Sequence, residues 1–144
     1  MTMYEILLAV DSNVEQSLRS AAVVTGLPRA SDEIEVTALN VFEEFDATDA
    51  GGRASSEDLF EDQPAPESLE RTVEFLTEHG VSSTAERRHG EPPEEITNAA
   101  RELDVDLIVM GGRRRSPVGK ALFGSVVQAV LLDADRPVTV SLSD

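Results

Sequence analysis

The residues from Gly111 to Val127, G-G-R-R-R-S-P-V-G-K-A-L-F-G-S-V-V, hold the densest chemistry in the chain. Gly111 and Gly112 carry no Cβ, so backbone N–H groups there can come close to an oxyanion. Arg113, Arg114 and Arg115 can give charge-assisted hydrogen bonds to phosphate oxygens. Gly124, Ser125 and Val126 stand where a helix should begin. A helix start offers free N–H groups and the positive end of a dipole, and the Ser125 hydroxyl adds a donor. Each part alone has a plainer reading. The glycines can make a turn, Ser125 can be a cap, and solvated arginines can pair with surface acids for about 0–1 kcal/mol each. Their conjunction after a strand favours a phosphate grip.

A second chemical residue stands at the end of another strand. In open parallel sheets, ligands bind beyond the carboxyl ends of the strands, where the strand order reverses. Asp11 closes the first apolar run, as Gly111 and Gly112 close the fourth. If those two strands are neighbours, both ends open onto one crevice. A carboxylate there can accept hydrogen bonds from a ribose hydroxyl or a base edge. Taken alone, Asp11 is more often a helix cap, here with Ser12 and Asn13, than a ligand group.

The elements that must position these residues follow from hydrophobic periodicity. Tyr4 to Val10 reads as a buried parallel strand, and Val14 to Leu27 as a helix stopped by Gly26 and Pro28. Glu33 to Phe42 is a second strand. Glu43 to Gln63 is acidic, rich in small residues and read as a long loop. Pro64 to His79 is a helix with Gly80 as its stop, and Val81 to Arg88 a polar strand near a sheet edge. Pro92-Pro93 opens a helix running to about Leu103. Val105 to Met110 is the strand before the glycines. A helix starts at Gly124 or Ser125, and Val138 to Leu142 is the final strand. The alternation β-α-β-α-β-α-β-α-β predicts a single α/β domain over residues 1–144, a doubly wound five-stranded parallel sheet with helices on both faces and right-handed crossovers.

Composition narrows the function classes. The chain has 144 residues, 28 Asp plus Glu against 12 Lys plus Arg, and a formal net charge of −16. Lys120 is the only lysine. Dense carboxylates spread along the chain suggest a halophilic cytoplasm, where salt screens their repulsion; a basic partner is the alternative reading. Nucleic-acid binding is not expected, because a phosphate backbone needs a positive face. No apolar run is long enough for a membrane helix, and the first residues lack a secretory signal pattern, so a cytoplasmic location is expected. With no cysteine, thiolate catalysis and disulfides are excluded. His79 and His89 carry little argument for catalysis, and no Ser/His/Asp set can be placed from spacing. A metal is expected only as magnesium carried on phosphates.

The chain resembles the universal stress proteins of the single-domain, haloarchaeal type. The resemblance rests on A-V-D-S at the first strand end, the long loop after the second strand, D-L-I-V-M-G-G and the closing R-P-V-T-V. It implies a Rossmann-like sheet of order 3-2-1-4-5 and a homodimer through the last strand. It also implies ATP or another adenine nucleotide as ligand, in a stress-response regulator with slow hydrolysis at most. The family's nucleotide binders carry G-x2-G-x9-G-[ST]. Here the first glycine falls on Gly111 and the last pair on Gly124-Ser125, while the second falls on Arg114.

By the same resemblance, Ala9, Val10, Asp11 and Ser12 line the site, with Asp11 on the adenine or ribose side. Val41 meets the base, Met110 lines the pocket, and Val126 offers a backbone N–H to phosphate. Gly111, Gly112, Arg113, Arg114, Arg115, Gly124 and Ser125 make up the phosphate side. Val127 replaces a hydroxyl residue common in ATP-binding members. Two rival readings stay open: a member that binds no nucleotide and acts through protein contacts, and a true ATPase or phosphotransferase.

Overall fold

The computed structural model describes residues 3–43, 65–113 and 123–143. In chain order the elements are β1 (Tyr4–Ala9), α1 (Val14–Thr25), α2 (Ala30–Glu33), β2 (Ile34–Glu43), α3 (Glu67–Glu78), β3 (Ser82–Gly90), α4 (Pro92–Glu102), β4 (Leu107–Arg113), α5 (Ser125–Asp133) and β5 (Val138–Ser143). The strands form one sheet in the order β3-β2-β1-β4-β5. Every neighbouring pair is parallel. The doubly wound class is that expected from the alternation of elements, and the strand order is that implied by the resemblance.

The apolar runs at the sheet centre follow from burial on both faces. Side chains alternate along a strand, so one run feeds two cores. Ile6, Leu8 and Val10 join Val36, Ala38 and Val109 in the layer covered by α1 and α3 through Ala21, Val24, Leu69 and Leu76. Leu7, Leu39, Ile108 and Met110 face the opposite way, under Ile96 and Ala99 of α4 and Val127 and Val130 of α5. β3 lies at one edge and is the most polar strand, as its sequence predicts. His89, expected in a loop, falls inside it, with its ring 6.1 Å from that of Phe42.

The largest departure concerns β4. The sequence places its end at Met110, with Gly111 and Gly112 opening a loop. The strand instead continues to Arg113. β5 supplies the reason: Gly111 pairs with Ser141, Gly112 with Leu142 and Arg113 with Ser143. A parallel neighbour satisfies backbone groups that the two glycines alone would leave to a turn. At its other end the strand begins later than expected, at Leu107. Asp106 is taken up by β1, donating its N–H to the Glu5 carbonyl at 2.8 Å and accepting the Glu5 N–H on Oδ2 at 2.9 Å. The short helix α2 was not expected from the sequence; it follows Arg29, whose φ of 59° is left-handed.

Arg136 ties the start of β5 to the turn before β4. Its Nη1 donates to the Val105 carbonyl at 2.8 Å, and its Nε donates to Asp135 Oδ1 at 2.9 Å. The hydrogen bond to Asp135 raises the guanidinium pKa against the opposing effect of burial. The same bond lowers the Asp135 carboxyl below the ordinary aspartate value.

Candidate functional site

β1 and β4 are adjacent although far apart in sequence, so the strand order reverses between them. A cavity of about 730 Å³ opens at their carboxyl ends. Its size suits a small-molecule ligand. Ala9, Val10, Asp11, Ser12, Val41, Met110, Gly111 and Val126 all line it. The structure thus gathers these eight proposed residues around one space. Gly112, Gly124 and Ser125 lie beside it without lining it, and Arg113 faces a different cleft. Arg114 and Arg115, like Lys120 and most of the 43–63 segment, lie outside the described residues.

Asp11 is held at the turn between β1 and α1. Its Oδ1 accepts the Asn13 N–H at 2.9 Å, and its Oδ2 accepts from Gln16 Nε2 at 2.7 Å. Ser17 Oγ donates to Oδ1 at 3.3 Å. The helix cap is Asn13, whose side chain accepts the Gln16 N–H at 2.9 Å. With Asn13 as cap, the exposed Asp11 carboxylate remains at the cavity wall. The backbone behind it is clamped from two further elements. Buried Asn40 of β2 donates from Nδ2 to the Val10 carbonyl at 3.0 Å, and Ser68 of α3 donates to the Asp11 carbonyl.

Gly111 owes its identity to packing. A Cβ there would stand 2.7 Å from Gln16 Cγ and 2.8 Å from Ser20 Oγ, closer than real Cβ contacts allow. Its φ is not positive, nor is that of Gly112. The glycine therefore lets α1 lie against β4, and the same approach brings Gln16 to Asp11. Gly112 is looser: its Cβ would meet Val127 Cγ2 at 3.2 Å.

The α5 N-terminus borders the cavity through Val126 and Val127. Gly124 is its N-cap and, having no side chain, makes no capping hydrogen bond. The first-turn N–H groups of a helix have no intrahelical partner, so they need an acceptor from outside. Among the described residues, the charged side chains on the cavity wall are Asp11, Glu43, Glu67 and Arg87. No group of described acidic or histidine side chains is arranged to hold a metal ion.

Sequence reasoning missed Gln16, Ser17, Asn40, Ser68 and Arg87. Asn40 left a readable signal, a carboxamide inside the apolar run A-L-N-V-F. The two serines left none, since small polar residues on a helix face read equally well as surface.

The model of the universal stress protein family matches residues 3–141. The chain belongs to that family. A universal stress protein of Methanocaldococcus jannaschii is 29% identical over 154 residues, covering 95% of this chain and 89% of the relative. The solved structure of a universal stress protein from Archaeoglobus fulgidus is 30% identical with a TM-score of 0.73, over 97% of this chain and 98% of that one. A universal stress protein structure from the same organism in complex with dAMP is 24% identical with a TM-score of 0.68, over the same shares, and has the same fold. Among the described residues, no helix is long and apolar enough to cross a membrane.

Proposed function

We propose that this universal stress protein binds ATP or another adenine nucleotide and acts as a stress-response regulator with slow hydrolysis at most. The observation that carries the reading is the cavity at the reversal point between β1 and β4, bordered by the N-terminus of α5, whose cap Gly124 has no side chain. Anions are favoured at such a helix end. Val41 and Met110 would pack on the base. Asp11 would accept from a ribose hydroxyl, since its bonds from Asn13, Gln16 and Ser17 fix it without burying it. Gly124, Ser125 and Val126 would meet the phosphates. Magnesium would arrive on the phosphates. The dAMP held by the Archaeoglobus protein supports the ligand class. We place the protein in the cytoplasm.

β5 ends the sheet, and an unpaired edge invites another strand. Two copies would pair through it, antiparallel. A single-chain mass by sedimentation at micromolar concentration would exclude this dimer.

A reading without nucleotide is favoured by Val127. It is 5% exposed and packs toward Gly112, so no hydroxyl stands at that place. Mass spectrometry of ligand released from the purified protein, with calorimetry of ATP and magnesium in high salt, separates the two. Released adenine nucleotide or a heat of binding is the expected result. Neither one at millimolar ATP would overturn the proposal.

A further inference from the structure

Two arginines stand apart from the others. Among the described residues, Arg29, Arg71, Arg88 and Arg136 form ion pairs with carboxylates, and Arg101 donates to Asn98. Arg19 of α1 and Arg113 of β4 are exposed, and their side chains enter no ion pair or hydrogen bond with described residues. On a chain of net charge −16, two cations with no side-chain partner among the described residues are out of keeping with their surroundings. Both line a single cleft of about 430 Å³, shared with Asn13, Glu15, Gln16 and Ser143.

The cleft lies next to the proposed nucleotide cavity, and Gln16 is common to both. The start of α1 at Asn13 adds the positive end of a helix dipole to the two guanidinium groups. Among the described residues, Glu15 is the one carboxylate on the lining, so two positive charges stand there against one negative.

We propose that Arg19 and Arg113 form a phosphate-binding subsite, separate from the α5 N-terminus. Guanidinium groups bind phosphate through paired, charge-assisted hydrogen bonds. The phosphate has two sources: the tail of a nucleotide seated in the main cavity, or a free inorganic anion. The first source rests on the proposed nucleotide function; the second does not.

The test measures adenosine, ATP and pyrophosphate by calorimetry at fixed salt, on the wild type and on Arg19→Ala, Arg113→Ala and the double variant. Both arginines are exposed, so the variants should melt with the wild type. For a nucleotide tail, ATP weakens about tenfold or more in the double variant, adenosine changes less than twofold, and pyrophosphate competes with ATP but not with adenosine. For a free anion, pyrophosphate binds alongside saturating ATP and loses its binding in the double variant. Glu15→Gln should tighten pyrophosphate in either case. The subsite is overturned if pyrophosphate binding is absent or unchanged in the double variant and the ATP-to-adenosine ratio does not move. Loss of adenosine and ATP binding in the wild type would instead sink the nucleotide reading, and pyrophosphate would still decide the subsite.

Discussion

Gln16 lies so close over Gly111 that a Cβ on the glycine would stand 2.7 Å from Gln16 Cγ. The same Gln16 side chain donates to Asp11 Oδ2 at 2.7 Å. One contact therefore links the packing of α1 on β4 to the carboxylate at the cavity wall. Gly111→Ala must push α1 outward or turn Gln16 away from Asp11. Overpacking of this kind costs about 1–3 kcal/mol. Urea unfolding should show that loss, and a smaller one for Gly112→Ala, whose nearest neighbour is the methyl of Val127 at 3.2 Å. Equal stability of Gly111→Ala and the wild type would show that the helix moves freely.

This contact also shows where sequence reading stops. The apolar runs announce β1, β2 and β4 because a parallel strand must bury both its faces. Gly111-Gly112 reads as a chain break, since two glycines in sequence usually end an element. Their place inside β4 depends on β5, a partner about 30 residues away, and on α1 needing room. Neither fact is local. The A-V-D-S and G-S pairs point to the site because they sit at element boundaries that local pattern reveals. The supporting residues Gln16, Ser17 and Ser68 depend on which helix faces meet, which a single sequence does not display.

Asn40 offers a second test. Its Nδ2 donates to the Val10 carbonyl at 3.0 Å in a buried setting. Asn40→Ala leaves that carbonyl without its side-chain partner next to the turn that presents Asp11. A buried acceptor deprived of its donor costs about 1–3 kcal/mol. The expected result is a loss of that size in urea, with faster amide hydrogen exchange at Asp11 and Ser12. Exchange confined to β2 would mean that Asn40 supports its own strand and not the turn.

Asp135 and Arg136 give a pH prediction. The Arg136 hydrogen bond lowers the folded carboxyl pKa of Asp135, with the nearby positive charge acting the same way. A lowered folded value means the pair stabilises the protein at neutral pH. That contribution falls away as pH drops through the folded carboxyl pKa, and it is absent below. Carboxyl carbon NMR should place the Asp135 midpoint below that of a free aspartate, and Arg136→Ala should raise it. A midpoint unchanged by that substitution would show that the guanidinium does not hold the carboxylate in solution.

The acidic surface supplies the last prediction. Glu70, Glu74 and Glu78 are exposed on α3 at intervals of four, so they stack along one side of the helix. Like charges at this spacing repel by about 0.2–0.5 kcal/mol per pair. Salt screens such exposed charges strongly, because the Debye length falls to about 3 Å at 1 M. The melting temperature in 2 M KCl should therefore exceed that in 0.1 M by about 4 °C or more, equivalent to about 1 kcal/mol for a domain of this size. Chloride is the better choice, since sulfate also strengthens apolar burial and would blur the cause. Glu74→Lys turns two repulsions into two attractions. It should raise the melting temperature in 0.1 M KCl and leave it unchanged in 2 M. A gain of equal size at both concentrations would assign the effect to helix propensity and not to charge. If the wild type melted at one temperature in both salts, the carboxylates would have a purpose other than salt adaptation, and a basic partner would become the stronger reading.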